Sequence, residues 1–559
     1  MKSYRIRWFG VAVTAAATVT ALTLTTAPSL AEPAPPTDPL TSTETPAEAP
    51  ADAQAAPGCA PGTTIRTDKG EVCGTTADGV NSWLGIRYAA APSGDLRWAP
   101  PEPHARWNGV LQATEQGPNC PQSDGLGAGS TNEDCLSVNV RAPARADARK
   151  LPVMVQIHGG GFRFGRPADG SHLVRTGNVV AVEVRYRLGI FGYLAHEDLG
   201  KNSGNYAIQD QQAALRWIQR NIAAFGGDPG NVTIFGASAG GSSVCANAVS
   251  PTARGLFHKG IAQSGEYNSL FGNNTSWQAQ DCKSELPTAK EAHRTGQRFA
   301  AALGCTDPRK AAECLRAVPA AKLLDQSGDG LGPDKGTIAP IVDGKTLTMS
   351  PAKAFAIGRV NDVTLMHGVD RDEVQLASAN TPEDYERLVK EQYGKWAPQV
   401  FALYPMKRFP TPSHFIAYRT IVADSNSVCP SLLNHQRMSR HLKVFAYQTD
   451  NSDAPPASFL DKTKPNGAFH VVLNQFLSPP AGAQLTANQQ AFAAQIVAQW
   501  TGFAHTGNPT VDGTPLWKPF SRHDPAVMSL APAGDSQLTR EIGEQHNCGF
   551  WNRFAAYGN

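Results

Sequence analysis

The sequence predicts an α/β fold in which a central, mostly parallel β-sheet is flanked by helices. Short apolar runs rich in β-branched residues recur along the chain, and helical patterns separate them. The runs are apolar throughout instead of alternating with polar residues, which is typical of strands that crossover helices cover on both faces. The predicted strands cover residues 153–157, 179–184, 232–235, 260–263, 363–367 and 444–447.

The helical segments between these strands differ in length. Residues 206–225 form the clearest helical pattern, with Ala213, Leu215, Trp217 and Ile218 as core candidates. Two longer stretches, 266–360 and 374–442, are mixed in character and largely helical. We expect both to be insertions that cover the carboxyl edge of the sheet, where ligands bind in folds of this kind.

The N-terminus resembles a secretory signal. An apolar stretch over 8–24 follows a basic beginning, and small residues precede a cleavage-like position after Ala31. The sequence therefore predicts a signal peptide over residues 1–31. A retained membrane anchor is the alternative, and the many threonines of the stretch argue against it.

Residues 32–58 are rich in Pro, Ala, Thr and Glu and hold almost no large apolar side chains. Such a segment cannot bury enough surface to offset its ordering entropy, which predicts a disordered linker. The folded domain is then expected to cover residues 59–559.

Composition narrows the function classes. The chain of 559 residues is 41% hydrophobic and 18% charged, with a formal net charge of +2, so neither a nucleic-acid partner nor an electrostatic membrane anchor is indicated. No other long apolar run follows the signal, so we expect no stable membrane insertion. Ten cysteines in an exported chain favour disulfides. Neither Cys-x-x-Cys nor His-Glu-x-x-His spacing occurs, and we expect no metal.

One pentapeptide indicates a nucleophile. Gly236-Ala237-Ser238-Ala239-Gly240 directly follows the predicted strand 232–235. A strand that turns sharply into a helix exposes its central serine and leaves no room for flanking side chains. A tight turn with a spectator serine is the alternative.

A glycine loop supplies the second motif. His158-Gly159-Gly160-Gly161-Phe162 follows the predicted strand 153–157. Consecutive glycines let backbone N–H groups converge on one point, where an oxyanion forms during attack on an ester carbonyl. A flexible loop is the alternative, but the two motifs together indicate a serine hydrolase.

A serine nucleophile needs a base and an orienting acid, and chain order in this arrangement is serine, acid, histidine. Asp370, Asp372 and Glu373 follow the strand 363–367, and the residues alone leave all three open. His470 lies on the loop where the base is expected. Three later histidines sit in helical or terminal contexts and are weaker candidates: His505, His523 and His546.

Taken together, these motifs show that the chain resembles a type-B carboxylesterase of the carboxylesterase, lipase and cholinesterase family, from about residue 72 to 554. The blocks that carry the resemblance are Gly85-Ile86-Arg87-Tyr88-Ala89, Leu96 to Pro101, Glu133 to Val140, Asn205 to Gly230, Gln263-Ser264-Gly265 and Cys548 to Phe554. The resemblance implies an α/β-hydrolase fold that cleaves small carboxylic esters without a cofactor. It also implies a buried structural ion pair between Arg97 and Glu133.

The resemblance assigns roles at matching positions. Ser238 matches the nucleophile, Glu373 the triad acid and His470 the base. Three backbone donors match the oxyanion hole: Gly160, Gly161 and Ala239.

The resemblance also implies three disulfides, Cys120–Cys135, Cys305–Cys314 and Cys429–Cys548. Spacing alone suggests Cys59–Cys73, and Cys245–Cys282 remains by elimination.

Two departures from the family bear on substrate. Ala237 stands where a glutamate usually precedes the nucleophile, and the short loop from Cys120 to Cys135 has no tryptophan. Both argue against choline esters. The short loop also offers little material for an interfacial lid, which favours short or medium acyl chains. A lipase, or a non-catalytic binding protein on this scaffold, is the alternative, and the oligomeric state stays open.

Overall fold

The computed structural model describes residues 58–124, 128–145, 150–266, 282–283, 285–328, 339–373, 378–458, 460–479 and 482–557. The predicted signal peptide lies outside the described residues, as does the predicted linker except for Gly58. Parts of both predicted insertions also lie outside them.

Fourteen strands occur in the described part of the chain. They are β1 (Ile65–Arg66), β2 (Glu71–Cys73), β3 (Thr75–Ala77), β4 (Val80–Arg87), β5 (Val110–Gln112), β6 (Ser137–Pro143), β7 (Leu151–Ile157), β8 (Val180–Val184), β9 (Gly227–Ala237), β10 (Lys259–Gln263), β11 (Thr364–Asp370), β12 (Val444–Thr449), β13 (Val527–Leu530) and β14 (Gln537–Thr539).

Eleven of these strands form one mixed sheet in the order β14-β13-β12-β11-β10-β9-β7-β8-β6-β4-β3. Neighbours from β8 through β7, β9, β10, β11 and β12 to β13 are parallel. The strands beyond them at both ends are antiparallel. The predicted mostly parallel sheet is confirmed, and each of the six predicted strands overlaps one of its strands. A separate three-stranded sheet joins β1, β2 and β5.

The helices of the described residues are α1 (Ser171–Gly177), α2 (Gly189–Tyr193), α3 (Tyr206–Asn221), α4 (Ala239–Val249), α5 (Ala289–Ala302), α6 (Ala311–Ala317), α7 (Ala320–Ser327), α8 (Pro351–Ile357), α9 (Pro382–Tyr393), α10 (Ala397–Leu403), α11 (Ser413–Ala423), α12 (Cys429–Met438), α13 (Asn474–Leu477), α14 (Ala487–Thr506), α15 (Ile542–Gln545) and α16 (Cys548–Tyr557). None of them is both long and apolar enough to span a membrane.

The clearest predicted helix is α3, which continues as a 3₁₀ turn to Phe225. Of its core candidates, Leu215, Trp217 and Ile218 are buried, whereas Ala213 is only half-buried. The two predicted insertions supply α5 to α8 and α9 to α12.

The antiparallel strand β6 was absent from the predicted strands because polar residues interrupt its sequence. Asn139 and Arg141 are nevertheless buried, since both bond the carboxylate of Glu183 on β8, at 2.8 and 2.7 Å. A buried polar group costs little when it is fully hydrogen-bonded. The pairing partner lies more than forty residues away, so the local pattern does not show it.

Five disulfides are present, and their pairing is the one expected from the sequence. Arg97 and Glu133 form the expected ion pair, with Nη2 and Oε1 2.5 Å apart. The guanidinium also donates to the carbonyl oxygens of Arg316 and Val318, at 3.0 and 2.7 Å. It thereby satisfies carbonyls at the C-terminal end of α6.

Candidate active site

Ser238 occupies the turn between β9 and α4. Its φ of 60° and ψ of −127° are unusual for a residue with a side chain. The backbone holds this conformation from two sides. The Ser238 N–H donates to the Gln263 carbonyl at 2.9 Å, and its own carbonyl accepts from the Ser242 N–H at 2.9 Å.

The two flanking glycines are required by close packing. A Cβ on Gly236 would lie 2.3 Å from the carbonyl oxygen of Ile157, and one on Gly240 would lie 2.1 Å from the same atom. Ile157 ends β7, so both glycines press the turn against the neighbouring strand. The structure therefore has the tight corner that the pentapeptide predicts.

The glycine loop lies directly against this corner. A Cβ on Gly159 would be 2.6 Å from the Ala237 carbonyl oxygen and 3.1 Å from the Ser238 Cβ. Gly160 and Gly161 have φ values of 109° and 60°, in the left-handed region that glycine adopts readily. The loop and the serine turn, which are distant in sequence, are thus in van der Waals contact.

The loop is held in place from both sides. The ring of His158 stacks on Tyr186, with centroids 4.5 Å apart, and the Tyr186 hydroxyl donates to the His158 carbonyl at 2.6 Å. Burial, together with nearby Arg185, lowers the pKa of His158 to about 4, so its ring is neutral at pH 7. On the other side, Gln122 bonds the N–H and the carbonyl of Gly165, at 2.8 and 3.1 Å. Gln122 lies within the loop closed by Cys120–Cys135.

A carboxylate that follows β11 contacts an imidazole on the loop that follows β12. The Nδ1 atom of His470 lies 2.5 Å from Oε2 of Glu373. The Glu373 side chain is fully buried, and that of His470 is 19% exposed. The other Glu373 oxygen accepts from the Asp370 N–H at 3.0 Å. Of the three acids that the residues alone leave open, Glu373 bonds His470.

The other two acids have different partners. Asp372 Oδ2 accepts from the Ala468 N–H at 2.8 Å, and the Asp372 N–H donates to the Ala468 carbonyl at 2.9 Å. A Cβ on Gly467 would lie 2.2 Å from Asp372 Oδ2, which explains the glycine at this position. Asp370 Oδ2 accepts from the hydroxyl of Ser264 at 3.0 Å.

The insertion helix α11 also holds the His470 loop. Arg419 is 5% exposed, and its guanidinium donates to the carbonyls of Pro465 and Asn466, both at 3.2 Å. Neither Arg419 nor Asp372 was expected from the sequence to support this loop. Asp372 is adjacent to the predicted acid Glu373, and this position could have indicated a role for it. No motif in the sequence near Arg419 indicates its role.

The later histidines lie elsewhere. His523 is exposed, and His505 bonds the Gly177 carbonyl at 3.0 Å. His546 bonds Asp424 at 2.5 Å. Burial alone would lower the pKa of His546, but the Asp424 carboxylate outweighs burial and raises it above the ordinary value.

The described residues hold one group of side chains spaced for a metal ion: Cys245, Cys282 and His367. The two sulfur atoms are joined as a disulfide, so neither is available as a thiolate ligand. The acid–base pair and the serine turn, by contrast, offer a nucleophile, a proton acceptor and backbone donors.

Comparisons with known proteins show the family to which the chain belongs. The model of the carboxylesterase family matches residues 61–551. Para-nitrobenzyl esterase of Bacillus subtilis (strain 168) is 34% identical over 507 residues, covering 85% of this chain and 96% of the relative. Cocaine esterase of Oryctolagus cuniculus is 33% identical, covering 80% and 87%. A solved structure of PNB esterase superimposes with a TM-score of 0.70 at 31% identity, over 87% of this chain and 99% of its own. The chain belongs to the carboxylesterase family, has its α/β-hydrolase fold and is a carboxylic ester hydrolase.

Proposed function

We propose that the protein is a secreted serine esterase in which Ser238, His470 and Glu373 form the catalytic triad. The hydrogen bond between His470 and Glu373, at the carboxyl edge of the strands next to the serine turn, carries the proposal. It gives the imidazole a buried carboxylate that fixes its tautomer, as nucleophile activation requires.

The reaction then proceeds through an acyl-enzyme. His470 takes the Ser238 proton while Oγ attacks the ester carbonyl carbon, and Glu373 stabilises the imidazolium that forms. His470 next donates that proton to the leaving alcohol. Water, activated by the same base, hydrolyses the acyl-enzyme and regenerates the serine.

The oxyanion would be bound by the backbone N–H groups of Gly160, Gly161 and Ala239. Positive φ at both glycines and the contact between Gly159 and Ser238 support this assignment. Each such donor typically contributes about 2.7–4 kcal/mol to transition-state stabilisation.

The substrate is proposed to be a neutral ester with a short or medium acyl chain. Ala237 is buried beside the nucleophile and provides no carboxylate for a cationic alcohol. Two relatives are named as esterases for para-nitrobenzyl esters and for cocaine, which supports a small-molecule ester as the substrate.

Export is proposed on the sequence of residues 1–31, with residues 32–58 as a linker to the domain at 59–559. Five disulfides support an oxidising destination. N-terminal sequencing of the protein from culture medium tests this, and an N-terminus at Met1 would contradict it.

An organophosphonate probe tests the nucleophile. We expect one covalent adduct, mapped to Ser238 by mass spectrometry, and loss of both adduct and turnover in Ser238→Ala. Ser242→Ala is the matched control, because the Ser242 hydroxyl donates to the Gly265 carbonyl and should not react. Undiminished turnover in Ser238→Ala would refute the mechanism.

p-Nitrophenyl esters of increasing length, with and without an oil–water interface, separate esterase from lipase.

A further inference from the structure

Two carboxyl groups share the buried site behind the proposed triad. Asp370 is 2% exposed and Glu373 is 1% exposed. They are three residues apart, and the backbone N–H of Asp370 donates to Oε1 of Glu373 at 3.0 Å. The triad as described uses only Glu373, which leaves the role of the Asp370 carboxyl unexplained.

The Asp370 side chain connects three segments of the site. Its Oδ2 accepts from the Ser264 hydroxyl at 3.0 Å and from the Val472 N–H at 3.3 Å. Ser264 follows Gln263, whose carbonyl binds the Ser238 N–H. Val472 is two residues beyond His470. One carboxyl group therefore touches the strand end behind the nucleophile and the loop that carries the base.

The partners of the two acids differ in charge. Glu373 bonds an imidazole that becomes positive during the reaction. The groups that donate hydrogen bonds to the Asp370 carboxyl, the Ser264 hydroxyl and the Val472 N–H, are both neutral. Two ionised carboxylates in one buried site repel each other, which favours retention of a proton by one of them. Burial raises the pKa of Asp370 well above its usual range, and the charge of Glu373 raises it further; the hydrogen bonds from Ser264 and Val472 lower it but are outweighed.

The other titratable groups around Asp370 do not change this assignment. Tyr447 on β12 has a phenol whose pKa burial raises well above its ordinary value, so it stays neutral. Glu266 pairs with His367, at 2.8 Å. Neither group brings a positive charge to Asp370.

We propose that Asp370 is a positioning residue that keeps its proton while Glu373 is ionised, and that its neutral side chain joins the acid loop, the end of β10 and the His470 loop. The inference rests on the proposed function, because it assigns the negative charge to Glu373 as the triad acid.

Infrared difference spectroscopy on the resting enzyme reads the proton directly. We expect a protonated-carboxyl band at neutral pH that disappears in Asp370→Asn and shifts when aspartate is labelled with ¹³C. Asp424→Asn is the matched control, a buried aspartate outside the site, and it should leave the Asp370 band in place. Absence of any band that depends on Asp370 would overturn the inference.

Kinetics of two variants test the positioning role. Asp370→Ala removes the acceptor for Ser264 and Val472, and we expect kcat to fall about tenfold or more with KM little changed. Asp370→Asn keeps an acceptor oxygen without charge and should recover most of that loss. An equal loss of kcat in both variants would mean that the charge of Asp370 is needed and would overturn the inference. The infrared band is measured without turnover, so the two proposals are tested independently. The band can be absent although the triad is correct, and it can be present although the triad is wrong.

Discussion

Asp372 and Ala468 are joined by two backbone-directed hydrogen bonds, one in each direction. The Asp372 N–H donates to the Ala468 carbonyl at 2.9 Å, and the Asp372 carboxylate accepts from the Ala468 N–H at 2.8 Å. Ala468 is two residues before His470. The residue beside the proposed triad acid therefore fixes the loop that carries the proposed base.

Asp372→Ala should loosen that loop. Removing the acceptor leaves the Ala468 N–H unpaired, which typically costs about 1–3 kcal/mol, so we expect kcat to fall about five- to hundredfold. Steady-state kinetics measure this, with the exposed Asp512→Ala as control. A change confined to KM would contradict a role in holding the base.

Glu373→Gln should nearly abolish turnover. The amide cannot stabilise the imidazolium and favours the wrong tautomer, and in a comparable triad such a change lowers kcat by about 10⁴. Burst kinetics with a p-nitrophenyl ester measure acylation directly, with Glu313→Gln on an exposed helix face as control. Turnover within a few-fold of wild type would assign the acid to another residue.

Gly236→Ala should destabilise the fold. Its Cβ would lie 2.3 Å from the Ile157 carbonyl oxygen, so strand or turn must shift. We expect a loss of about 1–3 kcal/mol in unfolding free energy. Gly549→Ala is the control, because its Cβ meets nothing within 4 Å in α16, and it should be neutral or slightly stabilising. Equal unfolding midpoints in urea for the two variants would contradict the packing argument.

His158 should make the fold sensitive to acid. Its pKa is lowered to about 4 in the folded state. Below pH about 6.5 the unfolded state therefore binds more protons than the folded state. The contribution of neutral His158 to the free energy of unfolding is complete above that pH and is lost as the pH falls toward 4. We expect the wild-type protein to lose up to about 3 kcal/mol of unfolding free energy on acidification that the variant His158→Gln does not lose. Urea unfolding between pH 7.5 and 4 measures it. The exposed His505→Gln is the control, and an unchanged slope in His158→Gln would refute the prediction.

The disulfides should differ in their effect on stability. Cys429–Cys548 spans 119 residues and Cys305–Cys314 spans 9. Loop-closure entropy predicts a loss of about 5 kcal/mol for the double alanine variant of the first and about 2.6 for the second. Unfolding free energies from urea titrations compare them. The reverse order would show that native-state effects outweigh chain entropy.

The sequence by itself determined the parallel strands, the serine turn and the glycine loop. Each is a local pattern: apolar runs are buried on both faces, and small residues at 236, 240 and 159 to 161 are needed wherever backbones approach closely. The same local view did not predict β6, because Asn139 and Arg141 are acceptable in the core only through Glu183 on another strand.

Tertiary structure decided which carboxyl meets the histidine. Asp370, Asp372 and Glu373 lie within four residues and are chemically alike, so spacing and chemistry alone do not distinguish them, and only the family motif assigns the acid to Glu373. The end of β11 directs Glu373 to His470, Asp372 to the backbone of Ala468 and Asp370 to Ser264. The local sequence determines that three carboxyl groups lie at the edge of the sheet. The residues that give each carboxyl group a different role lie about one hundred residues away in the sequence, and only the folded chain brings the two segments together.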